Sequence, residues 1–156
     1  MATIRRSTVP GWAWDMICAV ERGERIEVEW EWRVRNGNPA VRRYGHLLDS
    51  GSERVREWAS DRIREGAASY SSGRCYYKWP TTRIVVTAGT DEMDARMVLL
   101  HELAHVVAGP RAHHGPKWRR TALRLYRRYG GAEVVAHAAE HERRKRLVSA
   151  AQSAIE

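Results

Sequence analysis

A chain of 156 residues that is 43% hydrophobic suits one domain with a buried core. Two cysteines cannot build a disulfide framework or a four-cysteine zinc ribbon, so we expect Cys18 and Cys75 to be reduced, buried thiols. No apolar run approaches the roughly 18 residues of a membrane span, and residues 1–10 lack the apolar stretch of a signal peptide. We therefore expect a soluble, cytoplasmic protein without a membrane partner. The net charge of +8 favours an acidic partner, nucleic acid first.

The N-terminal part of the chain predicts a short helix over residues 11–21 and then a β-hairpin. Over residues 25–35 charged and apolar side chains alternate, which is the period of a strand with one buried face. The apolar members are Ile26, Val28, Trp30, Trp32 and Val34. We expect both tryptophans to face the core rather than to form a base-stacking platform. A turn at Asn36-Gly37 and a second strand over residues 40–48 complete the predicted hairpin.

The middle of the chain predicts a helix and two more strands. Ser52 is a candidate N-cap for a helix that reaches residue 68, with apolar residues at helical spacing. Residues 74–79 and 83–87 are typical of two strands, separated by Pro80. They lead into a helix that Thr90 or Asp91 caps and that Gly109-Pro110 ends. Apolar residues cover most faces of this helix, so we expect it to be largely buried.

The buried helix carries the pattern His-Glu-x-x-His, formed by His101, Glu102 and His105. Residues four apart leave one face of a helix about a turn apart, so the two imidazoles can share one metal ion. Neutral imidazole nitrogen suits Zn²⁺, and a catalytic zinc takes three protein ligands and one water. Glu102 lies close enough to take a proton from that water without being a ligand.

The third ligand must come from elsewhere in the chain. A metzincin pattern is excluded because Ala108 and Arg111 occupy the positions of its glycine and third histidine. Two adjacent candidates follow, His113 and His114. Glu133 is a further candidate, since some zincins take a glutamate from a later helix.

The residues His-Glu-Leu-Ala-His at 101–105 and His-Gly-Pro-Lys-Trp at 114–118 resemble the SprT-like zinc metallopeptidases, the family of the Spartan-type DNA–protein crosslink proteases. The resemblance covers about residues 73–118. It implies that the histidine before the glycine, His114, is the third zinc ligand. This sequence differs from the family pattern in two ways: the spacing between His105 and His114 is short, and we find no C-terminal zinc ribbon in it.

The resemblance and the predicted elements together imply a compact α+β zincin-like domain. A small antiparallel sheet would pack on the helix of His101 and His105, and the helix after Pro116 would close the site. We expect residues 1–156 to form a single domain, with its core at about 24–130 and a C-terminal helix at 131–156.

A basic helix is predicted from Pro116 to about residue 129, with an inner stripe of Trp118, Ala122, Leu125 and Tyr129. We expect Trp118 to pack under the zinc site. The helix carries cations at a density that suits phosphate contacts, although a solvated face is the alternative. These are Lys117, Arg119, Arg120, Arg124, Arg127 and Arg128.

The last predicted helix, residues 132–151, contains the inverted pattern His-x-x-Glu-His at His137, Glu140 and His141. We do not expect a second metal site there, because the setting is alanine-rich and only 15 residues follow to supply another ligand.

The sequence thus predicts a zinc-dependent metalloendopeptidase that acts on proteins associated with or crosslinked to DNA. Zn²⁺ is held by His101, His105 and His114, and Glu102 is the general base. A Tyr or Arg would help zinc to stabilise the oxyanion, and Tyr126 is one candidate. One alternative is a regulatory zinc peptidase that cleaves a repressor-type protein and uses a glutamate as third ligand. The other is a non-enzymatic, basic nucleic-acid-binding domain with a closed four-ligand structural zinc, completed by His113 or a cysteine.

Overall fold

The computed structural model describes residues 9–21, 25–34, 38–78 and 81–154. In chain order the elements are α1 (Gly11–Ala19), β1 (Ile26–Trp32), α2 (Pro39–Tyr44), a 3₁₀ turn (Gly45–Asp49), α3 (Glu53–Glu65), β2 (Ser72–Lys78), β3 (Thr81–Ala88), α4 (Glu92–Ala108), α5 (Pro116–Leu125), a π-helical turn (Tyr126–Gly130) and α6 (Gly131–Ser153). The fold is α+β, as predicted. The predicted turn at Asn36-Gly37 and the break at Pro80 lie outside the described residues.

The three strands form a mixed sheet in the order β1-β3-β2. β2 and β3 are antiparallel neighbours, whereas β1 runs parallel to β3 with Trp30 opposite Val86. The prediction of an antiparallel sheet is therefore wrong for β1. Its partner is β3, which follows only after α2 and α3, and a long crossover of this kind joins parallel strands.

The segment predicted as the second hairpin strand, residues 40–48, is helical. Asn38 caps α2 with its side-chain Oδ1, which accepts a hydrogen bond of 3.0 Å from the backbone N–H of Ala40. Pro39 follows at the first helical position, where its missing N–H and fixed φ suit a helix start. The apolar residues Val41, Tyr44, Leu47 and Leu48 also recur at helical spacing, and with Ala59 and Ile63 of α3 they form a small second cluster.

The main core lies between one face of the sheet and α4. Its fully buried residues include Trp30 from β1, Ile84 and Val86 from β3, and Leu99 and Leu103 from α4. Burial of each side chain of this size contributes roughly 1.5–3 kcal/mol. Trp30 is thus a core residue, as predicted, and Trp32 is partly buried beside both clusters.

Elements at both ends of the chain also reach the main core. α1 contributes Ala13, Met16 and Ile17, and α6 contributes Val134, so the core is wider than the predicted span of 24–130. The prediction of two buried thiols is wrong for Cys18, which is exposed because the opposite side of α1 faces the core. Cys75 is half-buried, and both thiols are free.

Helix α4 begins and ends where the sequence predicts. The Asp91 carboxylate accepts hydrogen bonds from the backbone N–H groups of Met93 and Asp94, at 3.0 and 3.2 Å. Gly109 ends the helix with φ at +90°, a backbone conformation that residues other than glycine rarely adopt. Within the described ranges, none of the helices combines the length and the apolar character needed to cross a lipid bilayer.

Candidate metal centre

Three histidine side chains converge on one point beside α4. His101 and His105 project from α4, and His114 comes from the loop between α4 and α5. The Nε2 of His114 lies 3.1 Å from that of His105 and 3.2 Å from that of His101. Two nitrogens that bind one tetrahedral zinc at about 2.0–2.1 Å lie about 3.3 Å apart. The donor set and its spacing therefore fit a metal ion.

The short loop after α4 selects His114 rather than its neighbour. Its turns are held by backbone hydrogen bonds from Ala112 to Gly109 (3.1 Å) and from Gly115 to Ala112 (2.9 Å). His113 has φ at +45°, in the left-handed region, so the chain turns there. Both histidines are exposed, but His113 lies outside the cluster, whereas His114 lies in it. Eight intervening residues are thus enough to bring His114 to the two helical histidines.

Trp118 forms the floor of the cluster. The centroid of its indole lies 4.5 Å from that of His101, 5.3 Å from that of His105 and 4.6 Å from that of His114. Trp118 is buried, as the inner stripe of α5 predicts. An aromatic floor restricts the rotation of all three imidazoles, so the nitrogens are oriented before a metal arrives.

The environment keeps the helical histidines uncharged. Burial lowers the pKa of His101 to about 3, and the charges of His105 and His114 contribute to the same shift. Burial likewise lowers the pKa of His105 to about 4. Because neutral imidazole is the form that binds metals, both side chains are ready to act as ligands at neutral pH.

Glu102 lies next to the cluster without belonging to it. Its side chain is only 5% exposed, and it is the only buried carboxylate in the described part of the chain. Burial raises its pKa to about 7, which is the range in which a carboxylate can both accept and release a proton at neutral pH. An ionisable group buried at a cost, beside three converging histidines, is typical of a functional site.

Strand β2 supports the cluster from the side, which the sequence did not predict. Alternate residues Gly73, Cys75 and Tyr77 face α4. The Tyr77 hydroxyl donates a hydrogen bond of 2.7 Å to the backbone carbonyl of His105. Burial raises the pKa of the Cys75 thiol to about 11, partly offset by its hydrogen bond with Tyr77. The period of two along this strand is the signal that could have placed these residues together.

Tyr126 lies in the π-helical turn after α5 and is buried, with 8% of its surface exposed. Burial raises the pKa of its hydroxyl, and the negative charges of Glu142 and Glu102 raise it further. The hydroxyl therefore stays protonated at neutral pH and can donate a hydrogen bond.

The remaining candidate ligands lie elsewhere. Glu133 is exposed and lies outside the cluster. Among the described residues, the only group of three or more His, Cys, Asp or Glu side chains close enough to bind one metal ion consists of His101, His105 and His114. His137 pairs its Nε2 with the Oδ1 of Asp94 at 2.9 Å. Glu140 binds Arg143 and Arg144. Two residues of the inverted pattern on α6, His137 and Glu140, thus contact charged side chains of α4 and α6.

The six cations predicted to contact nucleic acid are all exposed. Four of the six recur at helical spacing, at positions 117, 120, 124 and one of the adjacent pair 127 and 128. These four therefore share one side of α5 and the turn after it. None of the six pairs with a carboxylate among residues 9–21, 25–34, 38–78 and 81–154. Arg119 contacts the loop between α4 and α5, where its Nε donates a hydrogen bond of 3.2 Å to the backbone carbonyl of His114.

Comparisons of this chain with protein-family models, with curated proteins and with solved structures gave no significant match.

Proposed function

We propose that this protein is a zinc-dependent metalloendopeptidase of the zincin type, acting on proteins associated with or crosslinked to DNA. The observation that carries the proposal is the convergence of three histidine Nε2 atoms, spaced as around one tetrahedral ion, beside a single buried carboxyl group. Three nitrogens leave one position open for water or substrate, which distinguishes a catalytic zinc from a structural one. Zn²⁺, when bound, would supply Lewis-acid polarisation of the scissile carbonyl and of water.

Glu102 has the placement of a general base. It lies one residue after His101 and is not part of the ligand group. A carboxylate there can take the proton of the attacking water and later give it to the leaving amine. The raised pKa that follows from its burial suits both steps. Tyr126, as a neutral donor, would hydrogen-bond to the oxyanion that develops on the carbonyl oxygen.

The free edge of β2 is suited to hold the substrate. Among the described residues β2 is an outer strand, with β3 on one side only. Its residue Gly73 lies against Glu102, so a peptide added along this edge would pass the carboxyl group. Strand addition uses main-chain hydrogen bonds, and it therefore accepts many sequences. This would suit an endopeptidase that acts on varied, locally unfolded proteins.

The exposed basic face of α5 supports the link to DNA. Its cations follow the third histidine directly along the chain and are free of carboxylate partners in the described structure. DNA held there would bring attached protein close to the site. A regulatory peptidase with a glutamate ligand receives less support, because Glu133 lies outside the cluster. A closed structural site receives less support too, because no fourth His or Cys joins the group in the ranges described.

The proposal is tested by purified protein that has been loaded with zinc. It should hold one zinc per chain and cleave an unfolded protein substrate, lose cleavage when a chelator removes the metal, and regain it when zinc is added back. Full zinc occupancy without cleavage of any unfolded or DNA-bound protein would support a structural site instead.

A further inference from the structure

The backbone carbonyl of His105 connects strand β2 with helix α4. The Tyr77 hydroxyl donates a hydrogen bond of 2.7 Å to it, which is the usual length between two oxygens. The same oxygen accepts a hydrogen bond of 2.9 Å from the backbone N–H of Gly109, where α4 ends. One acceptor thus joins the edge strand, the helical turn that carries His105 and the start of the loop after α4.

A series of backbone hydrogen bonds leads from this carbonyl to the neighbourhood of His114. It begins with the bond from Gly109 to His105. The N–H of Ala112 then donates to the carbonyl of Gly109 at 3.1 Å, and that of Gly115 donates to Ala112 at 2.9 Å. Gly115 directly follows His114. The position of the third candidate ligand therefore depends on where the carbonyl of His105 holds the first bond of the series.

Hydrophobic packing does not explain the position of Tyr77. It is 41% exposed, and it belongs to neither hydrophobic cluster found in the described residues. It is also the last residue but one of β2, where an edge strand paired on one side opens most easily. The contact that accounts for its position is the hydrogen bond to α4.

We propose that Tyr77 is a positioning residue for the metal centre: its hydroxyl fixes the backbone at His105 and, through the bonds of the loop, the position of His114. The inference rests on the proposed peptidase function, since it concerns how the same site is held. Metal ligands need to be held within about 0.5 Å of their productive geometry. Removal of a group that orients metal-binding histidines typically reduces metal affinity or activity by 10- to 100-fold. Tyr77 acts through the backbone rather than on an imidazole, so we expect the lower end of this range.

Amide hydrogen exchange in the metal-free protein tests the positioning without any cleavage. Tyr77→Phe should let the last turn of α4 open more often, so the Gly109 amide should exchange about fivefold faster, the size of one hydrogen bond. The amide of Val86, on the central strand, should keep its wild-type rate, because the effect is local. Tyr76→Phe is the matched control. Its side chain lies on the opposite face of β2, with the ring 4.7 Å from the Arg83 guanidinium, and both rates should stay unchanged.

Metal binding and kinetics provide the second test. Tyr77→Phe should still bind one zinc per chain, but about tenfold more weakly in chelator competition, and cleavage should fall about tenfold, mainly through kcat. The visible absorption of the Co²⁺-substituted protein, which reports ligand geometry, should also change. Tyr76→Phe should match the wild type in each of these measurements.

The outcomes separate this inference from the proposed function. Wild-type Gly109 exchange and wild-type zinc affinity in Tyr77→Phe would overturn the inference, whether or not the protein cleaves peptides. Equal acceleration of exchange at Gly109 and Val86 would make Tyr77 a general stabilising contact and would overturn it as well. Zinc binding without cleavage by the wild type would overturn the proposed function, while exchange and zinc affinity would still decide the role of Tyr77.

Discussion

Gly73 on β2 lies directly against Glu102 on α4. A Cβ at position 73 would come within 2.6 Å of the Glu102 Cγ and 2.8 Å of its Oε1. Real Cβ atoms essentially never come within 3.0 Å of a non-bonded heavy atom, so any larger residue must displace either the strand or the glutamate. The absence of a side chain at position 73 is thus what lets the edge strand approach the carboxyl group.

Gly73→Ala should therefore impair cleavage while it spares the metal. A displacement of about 1 Å at a reacting group can reduce the rate about 10²-fold. We expect a loss of this order in kcat with one zinc still bound, measured by steady-state kinetics and metal analysis. Gly51→Ala is the control, since nothing lies within 4 Å of its added Cβ. Wild-type kcat in Gly73→Ala would mean that Glu102 does not need its present position.

The two adjacent histidines should differ sharply in metal binding. His114→Ala removes one of three converging nitrogens and should empty most of the site, as should His101→Ala and His105→Ala. His113→Ala should leave zinc content at one per chain, because His113 lies outside the cluster. Metal analysis of the four variants is the measurement. A site emptied by His113→Ala but not by His114→Ala would mean that the ligand assignment is wrong.

Tyr126→Phe tests the proposed oxyanion donor. Loss of one such donor reduces kcat by about 10²–10³-fold. We expect a fall of this order with little change in KM or zinc content. Tyr129→Phe is the matched control in the same turn, because the Tyr129 hydroxyl bonds to the carbonyl of Ala19 at 2.9 Å, away from the cluster. It should lower thermal stability slightly and leave kcat near wild type. Equal kcat values in the two variants would remove Tyr126 from the mechanism.

The exposed cations of α5 and of the turn after it should bind DNA through its phosphates. Replacement of Arg120, Arg124, Arg127 and Arg128 by Gln should flatten the log–log dependence of affinity on salt, by about 0.7–0.9 for each phosphate that is no longer neutralised. It should also abolish any stimulation of cleavage by DNA, with zinc content unchanged. The control removes four exposed charges from α2 and α3 instead, at Arg42, Arg43, Arg54 and Arg64. If the α5 variant binds DNA as well as the wild type, the basic face is only a solvated surface.

The histidine cluster and Glu102 could largely be predicted from the sequence because most of the cluster is local. His101, Glu102 and His105 depend only on helical spacing, and Asp91 and Gly109 define that helix by short-range capping. The choice of His114 as the third predicted ligand depended on the resemblance to a family, since spacing alone left His113 as an equal candidate. The strand at residues 26–32 followed from its alternation, because one face of it is buried.

The errors have equally specific causes. The prediction of a strand over residues 40–48 depends on the preceding Asn-Gly pair, although Asn38-Pro39 is a good helix start and the apolar residues recur every three or four positions. Because β1 was assigned to a hairpin with that segment, its parallel pairing with β3 was not predicted. The positions of Gly73 and Tyr77 beside the cluster depend on how β2 packs on α4. Contacts between distant segments of this kind have no local signal.

The most direct test of the peptidase proposal is the paired measurement of zinc content and cleavage in Glu102→Gln. The amide has nearly the shape of the carboxyl group but cannot act as a base. We predict one zinc per chain, an unchanged fold and a fall in cleavage of at least about 10²-fold. Glu133→Gln, on the exposed start of α6, should match the wild type in both measurements. Undiminished cleavage by Glu102→Gln with its zinc in place would contradict the proposed mechanism.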